Sequence, residues 1–323
     1  MSLDIYHSSL ITHHSSLFLI GPTAVGKTEA AILLAKYLKT EIISADSMQI
    51  YRGMDIGTAK SLKEQRQIVK HYMIDIVEPT EDFSVGEYLR GAMKIIEDLS
   101  KRGKIPLIAG GTGLYIKALT RGIFEGPKRD KGLRRTMEME EEKHGKGYLY
   151  QRLRDSDPVA ASKIHPSDLR RIIRALEVYQ LGKRPISDFQ KRDTIGYLSD
   201  PVKIGLTRDR KELYRRIEER VDKMISDGLE KEVKSLMERG CHDGMTSMQG
   251  LGYRHFMRYL MGEYSLGEAV RLLKRDTKRY AKRQFTWFRK EEGIKWVDIT
   301  GLTDSESIFK VLKNKVEKLK ELL

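Results

Sequence analysis

The chain holds 323 residues, enough for one large domain or for a large domain with a smaller one. Lys and Arg number 60 against 46 Asp and Glu, a net charge of +14 that favours polyanionic partners, nucleic acid first among them. One cysteine, Cys241, excludes a disulfide framework and a thiolate zinc site, and no run of about 18 apolar residues exists to cross a membrane as a helix.

The first sixteen residues carry three of the eight histidines, and the tetrapeptide HSSL occurs twice, at His7 to Leu10 and His14 to Leu17. No charged stretch precedes an apolar run there, so they are not a secretory signal. They are expected to be a disordered leader, 1–16, in a cytoplasmic protein. From Leu17 the texture alternates. Leu17–Ile20 predicts a strand, Thr28–Leu38 an amphipathic helix, Glu41–Ala45 a second strand and Tyr72–Val77 a third. Phe83–Arg102 predicts a helix in which Ser84 caps the start with Glu87 three residues on. Lys104–Ala109 is a strand running into GGTG, and a helix follows from Leu114. Strands separated by helices imply a three-layer α/β fold on a parallel sheet.

Near Gly126 the strand texture stops. Two helices are expected within 126–199, one from Leu133 to His144 and one from Asp168 to Leu181, with Leu169, Ile172, Ile173, Leu176 and Tyr179 on one face of the second. This reads as a helical insertion, with the core made of 17–125 and 200–323. Val202–Leu206 returns to strand, and the rest is helical until a last strand, Lys295–Ile299. The lysine-rich tail from Ser305 reads as a solvated amphipathic helix.

Gly21-Pro22-Thr23-Ala24-Val25-Gly26-Lys27-Thr28 matches G-x-x-x-x-G-K-[ST] in full, between a strand and a helix. Glycines let backbone N–H groups turn inward around anionic oxygens, and the helix adds the positive end of its dipole. Lys27 supplies a point charge, and the Thr28 hydroxyl can hold a magnesium ion. The motif does not name its ligand. Asp46 ends the second strand, eighteen residues beyond Thr28, at the sheet edge where α/β ligands bind. Three roles stand open for it: capping the next turn, holding a metal, or acting as a general base.

Residues 265–290 hold nine Lys/Arg against two acids, net +7. Arg271, Arg275, Lys278 and Lys282 recur at helical spacing on one face, which suits phosphate contacts that weaken with salt. Gln284, Trp287 and Phe288 close the segment, the aromatics reading as core.

GPTAVGKT, SADSMQIYRGMDIGTAK and IPLIAGGTGLYIKAL together resemble the tRNA dimethylallyltransferase family, whose members prenylate an adenosine beside the anticodon. HPSDLRRIIRALEV, RIEERVDKMISDGLEKEV, GLGYR and AKRQFTWFRK extend the resemblance in family order, over about residues 17 to 300. The zinc finger of some eukaryotic members is absent, which points to the bacterial form. The resemblance implies a P-loop NTPase-like fold with a helical insertion that grips an anticodon stem-loop, acting as a monomer. The phosphate is then the diphosphate of dimethylallyl diphosphate, bound by Gly21–Thr28 with magnesium on Thr28. Lys27, Thr28 and Arg220, the arginine of RIEER, would stabilise the leaving group, and Asp46 would be the base. The resemblance also carries tRNA contacts to Asp46, Ser47, Met48 and Gln49, and to Thr112 and Arg134. It carries others to Arg170, Arg171 and Arg174, to Gly252, Tyr253 and Arg254, and to Lys282, Arg283 and Gln284.

Three rivals share some of these features. A small-molecule kinase explains the loop and sheet but not the basic helix. An adenylate prenyltransferase acting on AMP, ADP or ATP needs no arginine-rich insertion. A non-catalytic RNA-binding protein leaves Lys27, Thr28 and Asp46 without a purpose.

Overall fold

The computed structural model describes residues 16–124, 126–192, 198 and 201–318. The expected leader lies outside the described residues apart from Ser16. The chain divides into two compact units, one of Met1–Thr120 with Tyr197–Leu323, the other of Arg121–Gly196.

The first unit is built on one six-stranded parallel sheet. Its strands are β1 (Leu17–Ile20), β2 (Ile42–Ala45), β3 (His71–Tyr72), β4 (Leu107–Gly110), β5 (Val202–Thr207) and β6 (Ile294–Asp298). Their order across the sheet is β3-β2-β4-β1-β5-β6. β1 lies among the central strands and is completely buried along its length, as a parallel strand covered on both faces must be. In chain order this unit's helices are α1 (Lys27–Tyr37), α2 (Lys63–Ile68), α3 (Val85–Lys101) and α4 (Gly113–Arg121), the last reaching one residue past the unit's edge. The second unit contributes α5 to α9. The first resumes with α10 (Arg210–Ser226), α11 (Leu229–Glu238), α12 (Leu251–Leu260), α13 (Leu266–Phe288) and α14 (Ser305–Glu317). None of the described helices is long and apolar enough to cross a membrane.

The capping box at Ser84 forms as its sequence predicts: Glu87 N–H donates to Ser84 Oγ, and Ser84 N–H to the Glu87 carboxylate at 2.7 Å. Two expectations need correction. The third strand is only two residues long, because Met73 and Asp75 adopt left-handed backbone (φ 60° and 55°) that no strand can continue through. The turn this makes presents the Asp75 carboxylate to Lys60 at 2.6 Å and Arg66 at 2.5 Å. The tail helix α14 is not merely solvated. Ile308, Leu312 and Val316 bury one face in the same core as Leu34 and Ala35 of α1.

The second unit is helical throughout its described residues: α5 (Lys131–His144), α6 (Tyr148–Ser156), α7 (Pro158–Ala161), α8 (Leu169–Gly182) and α9 (Ile186–Arg192). The sequence reading found α5 and α8 and passed over the other three, which have nine, four and seven residues and show too few turns for a period. Its own core joins Met137, Leu149, Leu153, Ile172, Ile173 and Leu176. Tyr179, expected on that face, is exposed.

Glu41 fixes the entry to β2. It accepts from Arg102 at 2.7 Å, Lys104 at 2.5 Å and the Tyr72 hydroxyl at 2.7 Å. The Arg102 hydrogen bond leads in holding its carboxyl at about 2, below an ordinary 4.5. A lowered acid gives stability that is complete above about pH 4.5 and lost as the pH falls towards 2. Glu41→Gln is expected to flatten the acid limb of the stability curve by about 2 kcal/mol, read from urea melts at stepped pH. An unchanged limb would show the cluster uncoupled from folding.

Candidate active site

The strand register sets the site. Ile20 pairs with Gly110, and Gly110 pairs with Ala45. The next residues, Gly21, Gly111 and Asp46, therefore leave the sheet side by side at its carboxyl edge. They open onto a cleft of about 620 Å³, bordered by Lys27, Thr28, Asp46, Arg220, Tyr280 and Gln284.

The glycine loop is held from outside. Ala24 and Gly26 adopt positive φ (63° and 112°), which only the glycine does at no cost, and α1 begins at the next residue. Val25 plugs the loop into the core. Three arginines then take three successive residues of the loop. Arg220 donates to Thr23 Oγ1 at 2.9 Å, Arg216 to the Ala24 carbonyl at 3.1 Å and Arg208 to the Val25 carbonyl at 2.8 Å. A trans peptide points its N–H opposite its carbonyl, so drawing the Val25 carbonyl to Arg208 turns the Gly26 N–H the other way. The family resemblance points to Arg220 and not to the other two. Their available signal was spacing, because Arg216 lies four residues before Arg220 on α10.

Lys27 Nζ folds onto the Gly21 and Pro22 carbonyls at 2.9 and 2.7 Å. Burial first, and the Arg220 charge second, pull its ammonium down to about 7, against support from Asp46 and Glu29. Burial also lowers Arg220. The site is thus rich in poorly solvated positive charge, which an anionic ligand would relieve.

Asp46 does cap the next turn, but with one oxygen. Its Oδ1 accepts from the Met48 N–H at 2.9 Å and the Gln49 N–H at 3.4 Å. Oδ2 has no hydrogen-bond partner among the described residues, and the side chain faces the cleft. Thr112 Oγ1 accepts from the Ser47 N–H at 3.0 Å, and Thr112 N–H donates to the Ala45 carbonyl at 3.0 Å. The loop after β4 is thereby fastened to the one after β2. The Gln49 amide borders the cleft and makes only long contacts, at 3.4 to 3.5 Å, with Ser44, Thr58 and Ala59.

Several residues expected to touch a polymer are engaged inside the protein. Tyr253 is fully buried, gives its hydroxyl to Glu232 at 2.7 Å, and lies against Gly57. The same Glu232 carboxylate receives the N–H groups of Asp55, Ile56 and Gly57 at 2.8 to 3.0 Å. Gly252 is buried beside that loop. Both residues lie against the 55–57 segment, of which Asp55 and Ile56 border the cleft. Arg254 lies 3.6 Å from Asp276. Gln284 is buried and bonded to backbone at both ends of its amide.

The basic helix α13 is partly neutralised, which corrects the expected bare cationic face. Arg271 pairs with Glu268, Arg275 with Asp276, Lys274 with Asp222 and Lys278 with Glu218 of α10. Lys282 and Arg283 stand exposed at its far end. Phe288 is buried, as expected of a core aromatic.

Within the second unit, Arg134 is committed rather than solvated. It forks onto buried Glu177 at 2.8 and 2.7 Å, and Arg174 adds a third bond at 2.6 Å. Burial would raise the Glu177 carboxyl, and these arginines hold it instead at about 2. Arg170 and Arg171 are exposed, Arg171 3.4 Å from Asp168.

No group of three or more His, Cys, Asp or Glu is placed to hold a metal among the described residues. The Thr28 hydroxyl and the Asp46 carboxylate are hard oxygen donors on the cleft lining, which also carries Glu29, Asp55, Glu219 and Asp227.

A family model described as IPP transferase matches residues 49–291, and one described as isopentenyl transferase matches 15–82. A tRNA dimethylallyltransferase of Thermodesulfovibrio yellowstonii is 53% identical over 90% of this chain and 94% of its own length. That of Pelotomaculum thermopropionicum is 50% identical over 90% and 93%. The crystal structure of a tRNA isopentenylpyrophosphate transferase from Bacillus halodurans superposes with a TM-score of 0.70 at 41% identity, covering 96% of this chain and 98% of that one. A eukaryotic dimethylallyltransferase acting on tRNA gives 0.78 at 28% identity, covering 94% and 80%. A P-loop α/β core, a cationic phosphate cradle beside a free carboxylate oxygen, and relatives matched over nearly their full length agree: the chain belongs to the tRNA dimethylallyltransferase family of prenyl-transferring enzymes.

Proposed function

We propose that this protein transfers a dimethylallyl group from dimethylallyl diphosphate to the exocyclic N6 amine of an adenosine beside the anticodon of tRNA, as a cytoplasmic monomer. The observation that carries the reading is the placing of the cationic glycine loop, with Lys27 and Arg220, and the Asp46 carboxylate on one cleft. All the groups invoked come from one chain. The amine nitrogen attacks the first carbon of the prenyl group, the C–N bond forms as the C–O bond breaks, and diphosphate departs with the bonding pair. Negative charge grows on the diphosphate as that bond breaks. Lys27, Arg220 and the N–H groups of the loop stabilise it there, in a site already organised before substrate arrives.

An aromatic amine is a poor nucleophile. Removal of its proton by Asp46 Oδ2 during attack is worth about 10²–10⁴ in rate. The base must leave its stack to reach that oxygen. Ser47 and Gln49 supply short polar groups where it would enter, while exposed Lys282, Arg283, Arg170 and Arg171 suit phosphate contacts that hold the polymer without reading its sequence.

Magnesium fits this site. It favours oxygen donors, keeps much of its water, and binds through few protein groups together with substrate phosphates, which suits the Thr28 hydroxyl on this cleft. Thr28 would hold it, and the ion would neutralise diphosphate charge.

The test offers labelled dimethylallyl diphosphate, with magnesium, to unmodified tRNA and to AMP in parallel. Label in tRNA adenosine alone is expected. Label in AMP would assign the adenylate-type reaction instead. No label in either, with ATP hydrolysed, would return the loop to a kinase role.

Lys27 gives a second prediction. Diphosphate in the loop favours the charged ammonium, so binding dimethylallyl diphosphate at pH 8 should take up close to about one proton. Calorimetry in buffers of different ionisation enthalpy reads this directly. The uptake should shrink as the pH falls through about 7, where Lys27 is already charged, and vanish in Lys27→Met. Proton release at pH 8 would contradict it.

A further inference from the structure

Gln284 sits on α13 and is only 7% exposed. Its Oε1 accepts the Thr23 N–H of the glycine loop at 2.9 Å, and its Nε2 donates to the Gly111 carbonyl, after β4, at 2.9 Å. The two loops lie apart in sequence and leave adjacent strands, and one amide spans them. The fit is tight on the β4 side. A Cβ on Gly111 would stand 2.4 Å from Gln284 Nε2, and one on Gly113 would stand 2.5 Å from the ring of Trp287, one helical turn further along α13. Both positions need glycine because helix side chains seat directly on the loop backbone.

The connection continues past Gly111. Thr112 holds the Ser47 N–H and the Ala45 carbonyl, flanking Asp46 on both sides. Arg220 meets the other end at Thr23 Oγ1. From diphosphate cradle to carboxylate the path therefore runs Thr23, Gln284, Gly111–Thr112, Ala45–Ser47.

We propose that Gln284 is a positioning residue that sets the separation between the diphosphate loop and Asp46. The inference rests on the reaction proposed above, in which that separation is the distance between leaving group and proton acceptor. It replaces a direct tRNA contact for this side chain with a role inside the site. A misplacement of about 1 Å between reacting groups costs about 10² in rate, whereas binding of the polymer through the exposed cations is untouched.

The experiment is steady-state transfer to tRNA by wild type and Gln284→Met, below the melting temperature of both. Gln284→Met keeps the volume and removes both hydrogen bonds. The expected result is a kcat about 10²-fold lower with KM for tRNA within about twofold of wild type. A raised KM for tRNA at unchanged kcat would overturn the proposal in favour of direct RNA contact. A lowered melting temperature with kcat and KM both kept would overturn it in favour of a purely structural role. If Gln284→Met does not fold, Gln284→Glu keeps the acceptor for Thr23 and loses the donor to Gly111; the same split between kcat and KM is expected. Absence of transfer by the wild type itself would instead defeat the proposed reaction, and this inference with it.

Discussion

The site depends on strand register. With Ile20, Gly110 and Ala45 aligned across β1, β4 and β2, the three following residues emerge together: the first glycine of the phosphate loop, the backbone that Gln284 grips, and Asp46. A slip in register would move every side chain of the fully buried β1 to the opposite face of the sheet and break its close packing there. Hydrophobic packing far from any substrate thus determines the geometry of the chemistry.

The second half of the chain completes that edge. From β5 onward it supplies Arg208, Arg216 and Arg220 to the loop, Glu232 to the 55–57 backbone and Gln284 to both Thr23 and Gly111. The early segment brings the glycine loop and Asp46, and the late segment holds the loop in place. The arginines that hold the loop also add positive charge beside it, Arg216 and Arg220 on the cleft itself. The result is a cradle in which Lys27 is close to losing its proton until an anion arrives. That is the electrostatic signature of a site built for a highly charged ligand.

Legibility in the sequence followed locality. The glycine loop, the capping box at Ser84 and β1 are written in neighbouring residues, and they appear where the sequence places them. The third strand stops short because Tyr72–Val77 has strand composition while Met73 and Asp75 take left-handed backbone, in a turn that brings Asp75 to Lys60 fifteen residues away. Arg134 and Tyr253 were assigned to a polymer surface. Their partners, Glu177 and Glu232, lie 43 and 21 residues away, so no local pattern announces these contacts. Gln284 and Thr23 are 261 residues apart, and only the folded chain shows that they meet. The +7 of α13 was legible as a sum, but its pairing with Asp222 and Glu218 was not, because those acids belong to a different helix.

The central claim is that Asp46 acts on the amine proton while the loop holds the diphosphate, two tasks on one sheet edge. Asp46→Asn tests it most directly, because the amide oxygen can still accept from Met48 and Gln49 while proton affinity is lost. The measurement pairs single-turnover transfer to tRNA with calorimetric binding of dimethylallyl diphosphate. The account predicts affinity equal to or tighter than wild type, with transfer slowed by about 10²–10⁴. Parallel loss of binding and transfer, or transfer at the wild-type rate, would contradict it.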